Sequence, residues 1–293
     1  MPLHRVTARV AAVLPLVRLN SLGGPACAPS LPPKVRTAVL SHLCEYLLQI
    51  ASVSAAIVVE AQIAPLTPCL YKPNAPKVNP LVPAGFENTQ GETWMVDLTG
   101  SPEDIRSRYS DSTRYELRKS NRSTFYVREA TGLKDFDTYY RLHLETCART
   151  GAVPHADAYF RAIFERFVPF GLARILFLER DSEVVAAHNT ALYKGGALYW
   201  TGASLSDKEG GDNRVLMDAQ IIAARENGCA RYETGEAFVN PRTSKERGLS
   251  HFKRSFGAEL HPFYRGLLRP ERLSSRILLG LREMLPKVRG PRS

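Results

Sequence analysis

Three apolar segments separated by two very short turns constrain the fold more than any other feature of the sequence. The segments are ARILFLE, VVAAHNTALY and ALYWTGAS, all within residues 173–204, and the turns between them are RDSE and KGG. Each segment has the length and the β-branched and aromatic content of a strand. Connections this short join antiparallel neighbours, because parallel strands need a much longer crossover. The sequence therefore predicts an antiparallel meander of three strands.

Helices lie on both sides of this meander in the sequence. Two aromatic-rich segments with helical spacing precede it, at about 135–149 and 156–168. Residues 213–227 follow it as a third predicted helix, with Gly228 at the C-cap position, and the next segment, CARYETG, is a further strand. This order predicts an α/β (α+β) fold, in which a mixed, mostly antiparallel central sheet is flanked by helices.

The sequence divides into four predicted regions. Residues 1–34 are rich in proline, glycine and serine and are expected to be poorly ordered. Residues 35–90 combine a helix, the strand SAAIVVEA and a proline-rich connection, which indicates a partial N-terminal lobe and a linker. Residues 91–269 form the main domain, and residues 270–293 are expected to contain a basic amphipathic helix.

A long basic helix is predicted near the start of the main domain. Ser101 is a suitable N-cap, Pro102 fits the first helical position, and the two acids that follow favour a helix N-terminus. The helix is expected to end at about Lys119. Arg114, Arg118 and Lys119 belong to the most concentrated basic run of the chain, which suits either a solvated face or a surface that binds phosphates.

Composition argues against several classes of protein. The chain has 293 residues, of which 44% are hydrophobic, so it can bury a substantial core. Its five scattered cysteines include no CxxC pair and the sequence has no HExxH, so a metal site is not expected. Apolar runs are too short to predict a membrane span, and a cytoplasmic location is expected. The formal net charge of +10 favours polyanionic partners such as nucleic acid or a membrane surface.

Five stretches resemble the FemAB branch of the GNAT superfamily of N-acetyltransferases. They are WMVDLTGSPEDI, YELRKSNRS, LYWTGAS, ARENGCARYETG and GLSHFKRSFG, and the resemblance extends from about residue 78 to residue 269. Members of this branch include ligases that build peptidoglycan cross-bridges from aminoacyl-tRNA. The resemblance implies a GNAT-like acyltransferase fold with a truncated N-terminal lobe. It also implies tRNA as a partner, aminoacyl-tRNA as co-substrate without a bound cofactor, and a peptide or peptidoglycan-precursor amine as acceptor.

The segment before the predicted helix at 213–227 bears on the identity of the acyl donor. Enzymes of this superfamily that use acyl-CoA hold its pyrophosphate on a glycine-rich turn at a helix N-terminus. Here the turn contains Asp207, Glu209 and Asp212, whose charges oppose a diphosphate. Arg214 could compensate for them. Asp212 is also suited simply to cap the helix. The acidic turn thus disfavours acyl-CoA without excluding it, and the resemblance implies aminoacyl-tRNA as the donor, with acyl-CoA as the alternative.

The motif GLSHFKRSFG supplies the leading catalytic candidate. In the family that it resembles, a Phe-Lys pair is associated with the reactive centre, and here that pair is Phe252 and Lys253. An ammonium fixed between aromatic anchors would stabilise the negative oxygen that forms when an amine attacks an acyl ester. From spacing alone, Phe252 and Phe256 could equally be core anchors while Lys253 is directed to solvent.

The other candidate site residues follow from their positions on predicted elements. Glu233 and Glu236, at the end of the strand that contains CARYETG, are either catalytic bases or surface acids. Tyr199 and Trp200 are candidate contacts for the acceptor or the aminoacyl group, and one of them is expected to face the core because neighbouring strand residues point to opposite sides. Arg214 and the basic residues of the predicted long helix complete the candidate substrate contacts.

Two further functions are compatible with the sequence. One is an acyl-CoA-dependent GNAT N-acyltransferase. The other is a non-enzymatic protein whose basic run and C-terminal helix bind RNA or anionic lipid, and peripheral membrane contact is compatible with either class.

Overall fold

The computed structural model describes residues 1, 3–10, 14–28, 30–67, 70, 76–120, 125–205 and 212–270. The strands in these residues are β1 (His4–Val10), β2 (Leu14–Ser21), β3 (Ala56–Gln62), β4 (Glu87–Asn88), β5 (Gly91–Asp97), β6 (Phe125–Glu129), β7 (Ala173–Arg180), β8 (Glu183–Tyr193), β9 (Gly196–Ser204), β10 (Arg231–Glu236), β11 (Glu259–Phe263) and β12 (Arg265–Leu268). The α-helices are α1 (Pro33–Val53), α2 (Pro102–Ser107), α3 (Asp111–Ser120), α4 (Phe136–Thr150), α5 (Asp157–Arg166), α6 (Asp212–Glu226) and α7 (Ser244–Arg254).

The chain divides into two compact units. The first comprises Met1–Glu92 and the chain from Pro262 onward, and the second comprises Thr93–His261. The predicted start of the main domain, residue 91, lies close to this division. Its predicted end at residue 269 is wrong, because β12 pairs antiparallel with β3 and so belongs to the first unit.

The first unit is built around a five-stranded sheet in the order β1-β2-β3-β12-β4. Strand β2 is antiparallel to β1 and parallel to β3, and α1 packs its buried residue Leu47 into the core of this unit. The expectation that residues 1–34 are poorly ordered is wrong for both strands, since Leu16, Val17 and Leu19 are buried in the sheet. The proline and glycine bias belongs to the connection between β2 and α1. That this unit is a truncated form of the family's N-terminal lobe stays a prediction.

The second unit confirms the predicted meander. Strands β7, β8 and β9 pair antiparallel in sequence order. The central residues of both turns have positive φ, namely 51° and 68° at Asp181 and Ser182, and 47° and 78° at Lys194 and Gly195. This combination is typical of the tightest hairpins, because it matches the twist of the paired strands.

The complete sheet of the second unit has the order β11-β5-β10-β9-β8-β7-β6. Helix α6 connects β9 to β10, which run parallel, whereas β10 is antiparallel to β5. Helices cover both faces. Phe160 of α5 and Phe177 of β7 share one core cluster, and Met217 of α6 and Tyr232 of β10 share another. The predicted mixed, mostly antiparallel sheet flanked by helices is therefore confirmed.

The long basic helix predicted from residue 102 to 119 is two helices. Its N-terminus is as expected, because Ser101 and Asp104 form a reciprocal capping box. The helix stops because Tyr109 turns into the core, where its hydroxyl donates a hydrogen bond to Asp218 (3.1 Å). The backbone N–H of Ser110 then bonds to the carbonyl of Ser255 (2.9 Å) instead of continuing the helical ladder. Local capping signals could not reveal this interruption.

Two predictions concern membranes and the C-terminus. None of the helices in the described part of the chain is both long enough and apolar enough to cross a bilayer. The basic amphipathic helix predicted within residues 270–293 lies outside the described residues, apart from Pro270.

Candidate active site

Aromatic contacts fix the end of α7, which carries the GLSHFKRSFG motif. The helix begins where the Thr243 hydroxyl accepts a hydrogen bond from the N–H of Glu246 (3.1 Å). Phe256, just past the helix end, is fully buried. Its ring packs edge-to-face on Phe252 and on Tyr109, with centroids 5.2 and 5.3 Å away. The last turn of α7 is therefore held against the core, as the spacing of the phenylalanines predicts.

Lys253 is directed at β10 and not into bulk solvent. Its Nζ donates a hydrogen bond to the backbone oxygen of Glu236 (3.0 Å) and lies 5.6 Å from the centroid of the Phe238 ring. A Cβ added to Gly235 would lie only 3.1 Å from Nζ. Burial lowers the pKa of Lys253 to about 8, against the attraction of the Glu236 and Glu233 carboxylates. The side chain is thus a mostly cationic group at neutral pH, in a fixed position.

Glu233 is a buried carboxyl within electrostatic range of this ammonium. Only 6% of the residue is exposed, and its Oε1 accepts a hydrogen bond from the Thr93 hydroxyl (2.8 Å). Burial raises the pKa of Glu233 to about 7, outweighing the hydrogen bond from Thr93 and the charge of Lys253, which both favour the carboxylate. A carboxyl that titrates near neutral pH is suited to accept a proton from a substrate.

A bulge in β10 shapes the strand at this point. The pairing of β10 with β5 shifts register between Glu233 and Gly235, and the intervening Thr234 donates a hydrogen bond to the backbone oxygen of Trp94 (3.2 Å). Gly235 has φ 94°, a conformation that residues with a side chain rarely adopt. Bulges often occur next to active sites, where they redirect side chains. Here the bulge and the missing Cβ together make room for the ammonium of Lys253.

The pairing of β10 with its other neighbour, β9, ends close to the bulge. Its parallel pairing with β9 runs from Arg231 opposite Gly196 to Glu233 opposite Leu198. Both strands continue further, β9 to Ser204 and β10 to Glu236. The described pairing of these two strands therefore ends at Glu233, at the level where Lys253 approaches β10.

Replacing Gly235 by alanine is expected to disturb the site and the fold. The positive φ and the 3.1 Å approach to Lys253 would both become unfavourable, which costs about 1–3 kcal/mol of unfolding free energy. Gly248→Ala is the control, because this α7 glycine has no heavy atom near an added Cβ. Alanine there should stabilise by up to about 1 kcal/mol. Urea unfolding measures both changes, and equal stabilities would contradict the close contact at Gly235.

Tyr199 and Trp200 both pack against the core. The Tyr199 ring lies edge-to-face on His188, with centroids 4.9 Å apart, and burial raises the pKa of its hydroxyl well above the usual range. The Trp200 ring contacts those of Phe167 and Tyr159, at 5.5 and 6.2 Å. The two rings lie in different core clusters, as the alternation along a strand predicts, and both are core-facing because helices cover both faces of the sheet. Their contact with substrate stays a prediction.

The four basic residues predicted to contact the substrate differ in their surroundings. Arg214 lies in the first turn of α6, and its Nε is buried without a hydrogen-bond partner among the described residues. Arg114 is already engaged, since it pairs with Asp111 and donates to the backbone oxygen of Ser107 (2.7 Å). Arg118 and Lys119 are exposed in the last turn of α3.

The acidic turn weighed against acyl-CoA falls largely outside the described residues. Asp207 and Glu209 lie outside the described residues, and Asp212 is described only as the first residue of α6. The effect of these acids on a diphosphate therefore stays a prediction.

Sequence reasoning missed three contributors to the site, namely Thr93, Gly235 and Phe238. One signal was available: a glycine inside a predicted strand, as in CARYETG, indicates a bulge or a close approach of another group. No local pattern marks Thr93 as a partner of Glu233, because 140 residues separate the two.

Comparisons with known proteins bear on the family and the fold of the chain. The profile described as "Acetyltransferase (GNAT) domain" matches residues 107–254. A comparison with curated protein sequences finds no match. Among solved structures, FemX is similar with a TM-score of 0.66 and 14% identity, over 94% of this chain and 85% of FemX.

Two further solved structures show the same fold. L-PGS from Bacillus licheniformis has a TM-score of 0.59 and 17% identity, over 95% of this chain and 84% of its own. The tandem GNAT protein from the clavulanic acid biosynthesis pathway has a TM-score of 0.51 and 13% identity, over 88% of this chain and 76% of its own. At these identities the likeness concerns the fold alone.

The profile match extends over half of the chain and includes β10 and α7, which hold Glu233 and Lys253. The chain therefore belongs to the acetyltransferase (GNAT) domain family and is an acyltransferase.

Proposed function

We propose that the chain transfers an aminoacyl group from aminoacyl-tRNA to an amine and so forms an amide bond. The observation that carries the proposal is the fixed ammonium of Lys253, which is held 3.0 Å from the Glu236 carbonyl in the same site as a buried carboxyl with a pKa of about 7. Such a pair supplies both a cation for a developing oxyanion and an acceptor for the amine proton.

The reaction follows from these two groups. The acceptor amine attacks the ester carbonyl of the aminoacyl group, and its proton passes to the Glu233 carboxylate as the C–N bond forms. The carbonyl oxygen becomes negative, and the ammonium of Lys253 stabilises it. The C–O bond to the ribose then breaks, and the proton held by Glu233 returns to the ribose oxygen. The products are an amide and a free tRNA hydroxyl, and the carboxylate is regenerated.

Several features support aminoacyl-tRNA as the donor. The chain resembles the FemAB ligases, which take aminoacyl groups from tRNA, and its net charge of +10 suits a polyanionic substrate. Exposed cations at Arg118 and Lys119 can contact phosphates. The resemblance also supports a peptide or peptidoglycan-precursor amine as the acceptor.

The donor is tested by offering two labelled substrates in parallel. The purified chain receives tRNA charged with labelled amino acids in one reaction and labelled acetyl-CoA in the other, each with a pool of amine acceptors. We expect label from the charged tRNA in an acid-stable amide, and ribonuclease treatment should abolish its formation. Transfer from acetyl-CoA that resists ribonuclease would overturn the proposed donor.

Acyl-CoA is the second candidate donor, and two observations favour it. The matching family profile is described as an acetyltransferase domain. In addition, the buried Nε of Arg214 has no hydrogen-bond partner among the described residues and lies at the beginning of α6, where a diphosphate could use both the guanidinium and the helix N-terminus. The same experiment distinguishes the two donors. A purely non-enzymatic role in binding RNA or lipid is not supported, since the chain belongs to a family of acyltransferases.

A further inference from the structure

Two adjacent turns of the second unit expose aromatic and aliphatic side chains. Phe170, in the short turn that follows α5, is 76% exposed, and Tyr193, at the end of β8, is 68% exposed. The turns are neighbours, because the N–H of Leu192 donates a hydrogen bond to the carbonyl of Leu172 (2.9 Å). Leu172 and Phe167 add partly exposed apolar surface, at 38% and 36%. These exposed apolar side chains lie on neighbouring turns and are not scattered singly over the surface.

A cation lies beside the apolar groups. The two turns line a shallow depression of about 270 Å³, and its lining includes Leu172, Tyr193 and Lys194 but no acidic residue. The Nζ of Lys194 lies 5.2 Å from the centroid of the Tyr193 ring. Tyrosine and lysine side chains both have an apolar body and a polar end, which is why they are favoured where protein meets the interface of a bilayer.

We propose that this tip surface, defined as Phe167, Phe170, Leu172, Tyr193 and Lys194, docks the protein on the surface of an anionic lipid bilayer. The rings would insert among the headgroups while Lys194 contacts lipid phosphate, and the net charge of +10 complements an anionic membrane. This attachment is peripheral and involves no spanning segment.

The shape of the tip surface favours a bilayer over a protein partner. A stable protein interface buries about 800 Å² on each partner in a continuous, complementary patch. Five side chains on two short turns offer protruding tips of much smaller area, which a fluid bilayer can surround. Glu165 and Glu226 are exposed at the ends of α5 and α6, next in sequence to Arg166 and Asn227, and they reduce the positive charge of these segments. Insertion of the rings is therefore the larger contribution, and the dependence on salt should be moderate.

The proposal is tested by sedimentation of the full chain with vesicles. We expect binding to vesicles of phosphatidylcholine and phosphatidylglycerol, and weaker binding to phosphatidylcholine alone. The double variant Phe170→Ser/Tyr193→Ser should lower the partition coefficient at least about tenfold, because each substitution removes a ring from the interface. Tyr126→Ser is the control, since Tyr126 is 62% exposed on β6, outside the tip surface, and should bind as the unchanged chain does.

A second measurement reports insertion directly. In the variant Phe170→Trp, the new indole should be quenched by brominated phosphatidylcholine in the mixed vesicles. Absence of vesicle binding, or equal binding by the double variant, would overturn the proposal. So would a dimer that the double variant abolishes, because the tip surface would then join two copies of the chain. Neither measurement requires an acyl donor, so the outcome is independent of the proposed function.

Discussion

Lys253→Met is expected to lower kcat about 10²–10³-fold without loss of the folded structure. The ammonium donates a hydrogen bond to Glu236 (3.0 Å) and lies against Gly235, so its charge is already in position when the carbonyl oxygen of the substrate becomes negative. Methionine has a similar length and flexibility but carries no charge. Steady-state kinetics with the labelled donor that proves active measure the change.

The same substitution should not lower the thermal midpoint at neutral pH. Burial places the pKa of Lys253 at about 8 in the folded chain, below its ordinary value of 10.5. The folded state therefore binds fewer protons than the unfolded state between these values, and stability from this group rises with pH across that window. Below pH 8 the buried cation of Lys253 opposes folding. Its removal therefore stabilises the folded state and offsets the lost hydrogen bond to Glu236.

Lys245→Met is the matched control for this variant. Lys245 is exposed in the first turn of the same helix, and its substitution removes one positive charge without touching β10. We expect unchanged kcat for Lys245→Met. Full turnover by Lys253→Met would show that Lys253 only packs against β10 and would remove the basis of the proposed chemistry.

The parts of the fold that the sequence predicts correctly depend on local interactions. The meander is recognisable because each turn is too short for any connection but a hairpin, and the φ values at Asp181 and Lys194 agree with that. The start of α2 is recognisable because Ser101 and Asp104 are three residues apart and cap each other. In both cases all of the interacting groups lie within a few residues of one another.

The errors arise where distant segments decide the structure. The pairing of β12 with β3 places Leu268 opposite Val59, and nothing near residue 268 specifies that partner. Likewise, the sequence predicts one continuous basic helix because no local pattern shows that Tyr109 binds Asp218. The composition of residues 1–34 was also misleading, since two strands precede its proline-rich part.

The candidate site also has features that the local sequence predicts and others that depend on distant segments. The spacing of Phe252 and Phe256 predicts an anchored segment, and the family resemblance singles out Lys253, but neither gives the direction of its side chain. That direction depends on the bulge at Thr234 and on the missing Cβ of Gly235. The sequence also does not show which of Glu233 and Glu236 is the better candidate base. Glu233 is the buried one, and burial raises its pKa to about 7. Burial is a property of the packed unit and not of the sequence near the residue.

Glu233→Gln is expected to lower kcat about 10²–10⁴-fold, because the amine then has no carboxylate to accept its proton. Glutamine keeps an oxygen that can accept the hydrogen bond from the Thr93 hydroxyl, so the local geometry is retained. In the unchanged chain, kcat/KM should rise through an apparent pKa near 7 and fall through one near 8, as Glu233 loses its proton and then Lys253 loses its own. The rise of kcat/KM near pH 7 should be absent from the pH profile of the variant. If that rise persists, the group that titrates is the acceptor amine and not Glu233.

Stability should change in the opposite direction to activity. The folded-state pKa of Glu233, about 7, is above its ordinary value of 4.5, so the folded chain binds more protons than the unfolded chain between these values. Stability from this group is therefore present at low pH and is lost as pH rises through 7. Glutamine stays neutral and avoids that loss, so the variant should be more stable at pH 8 by up to about 3 kcal/mol and nearly unchanged at pH 4.

Urea unfolding at the two pH values measures this difference, with Glu183→Gln as the control. Glu183 is exposed at the beginning of β8, so its substitution should change the unfolding free energy little at either pH. If Glu233→Gln were less stable than the unchanged chain at pH 8, the charge of Lys253 would stabilise the carboxylate more than burial opposes it. Glu233 would then remain ionised well below neutral pH and would be a weak base for the amine. A gain in stability together with a loss of turnover is the result expected of a carboxyl that is kept buried for catalysis at a cost to the fold.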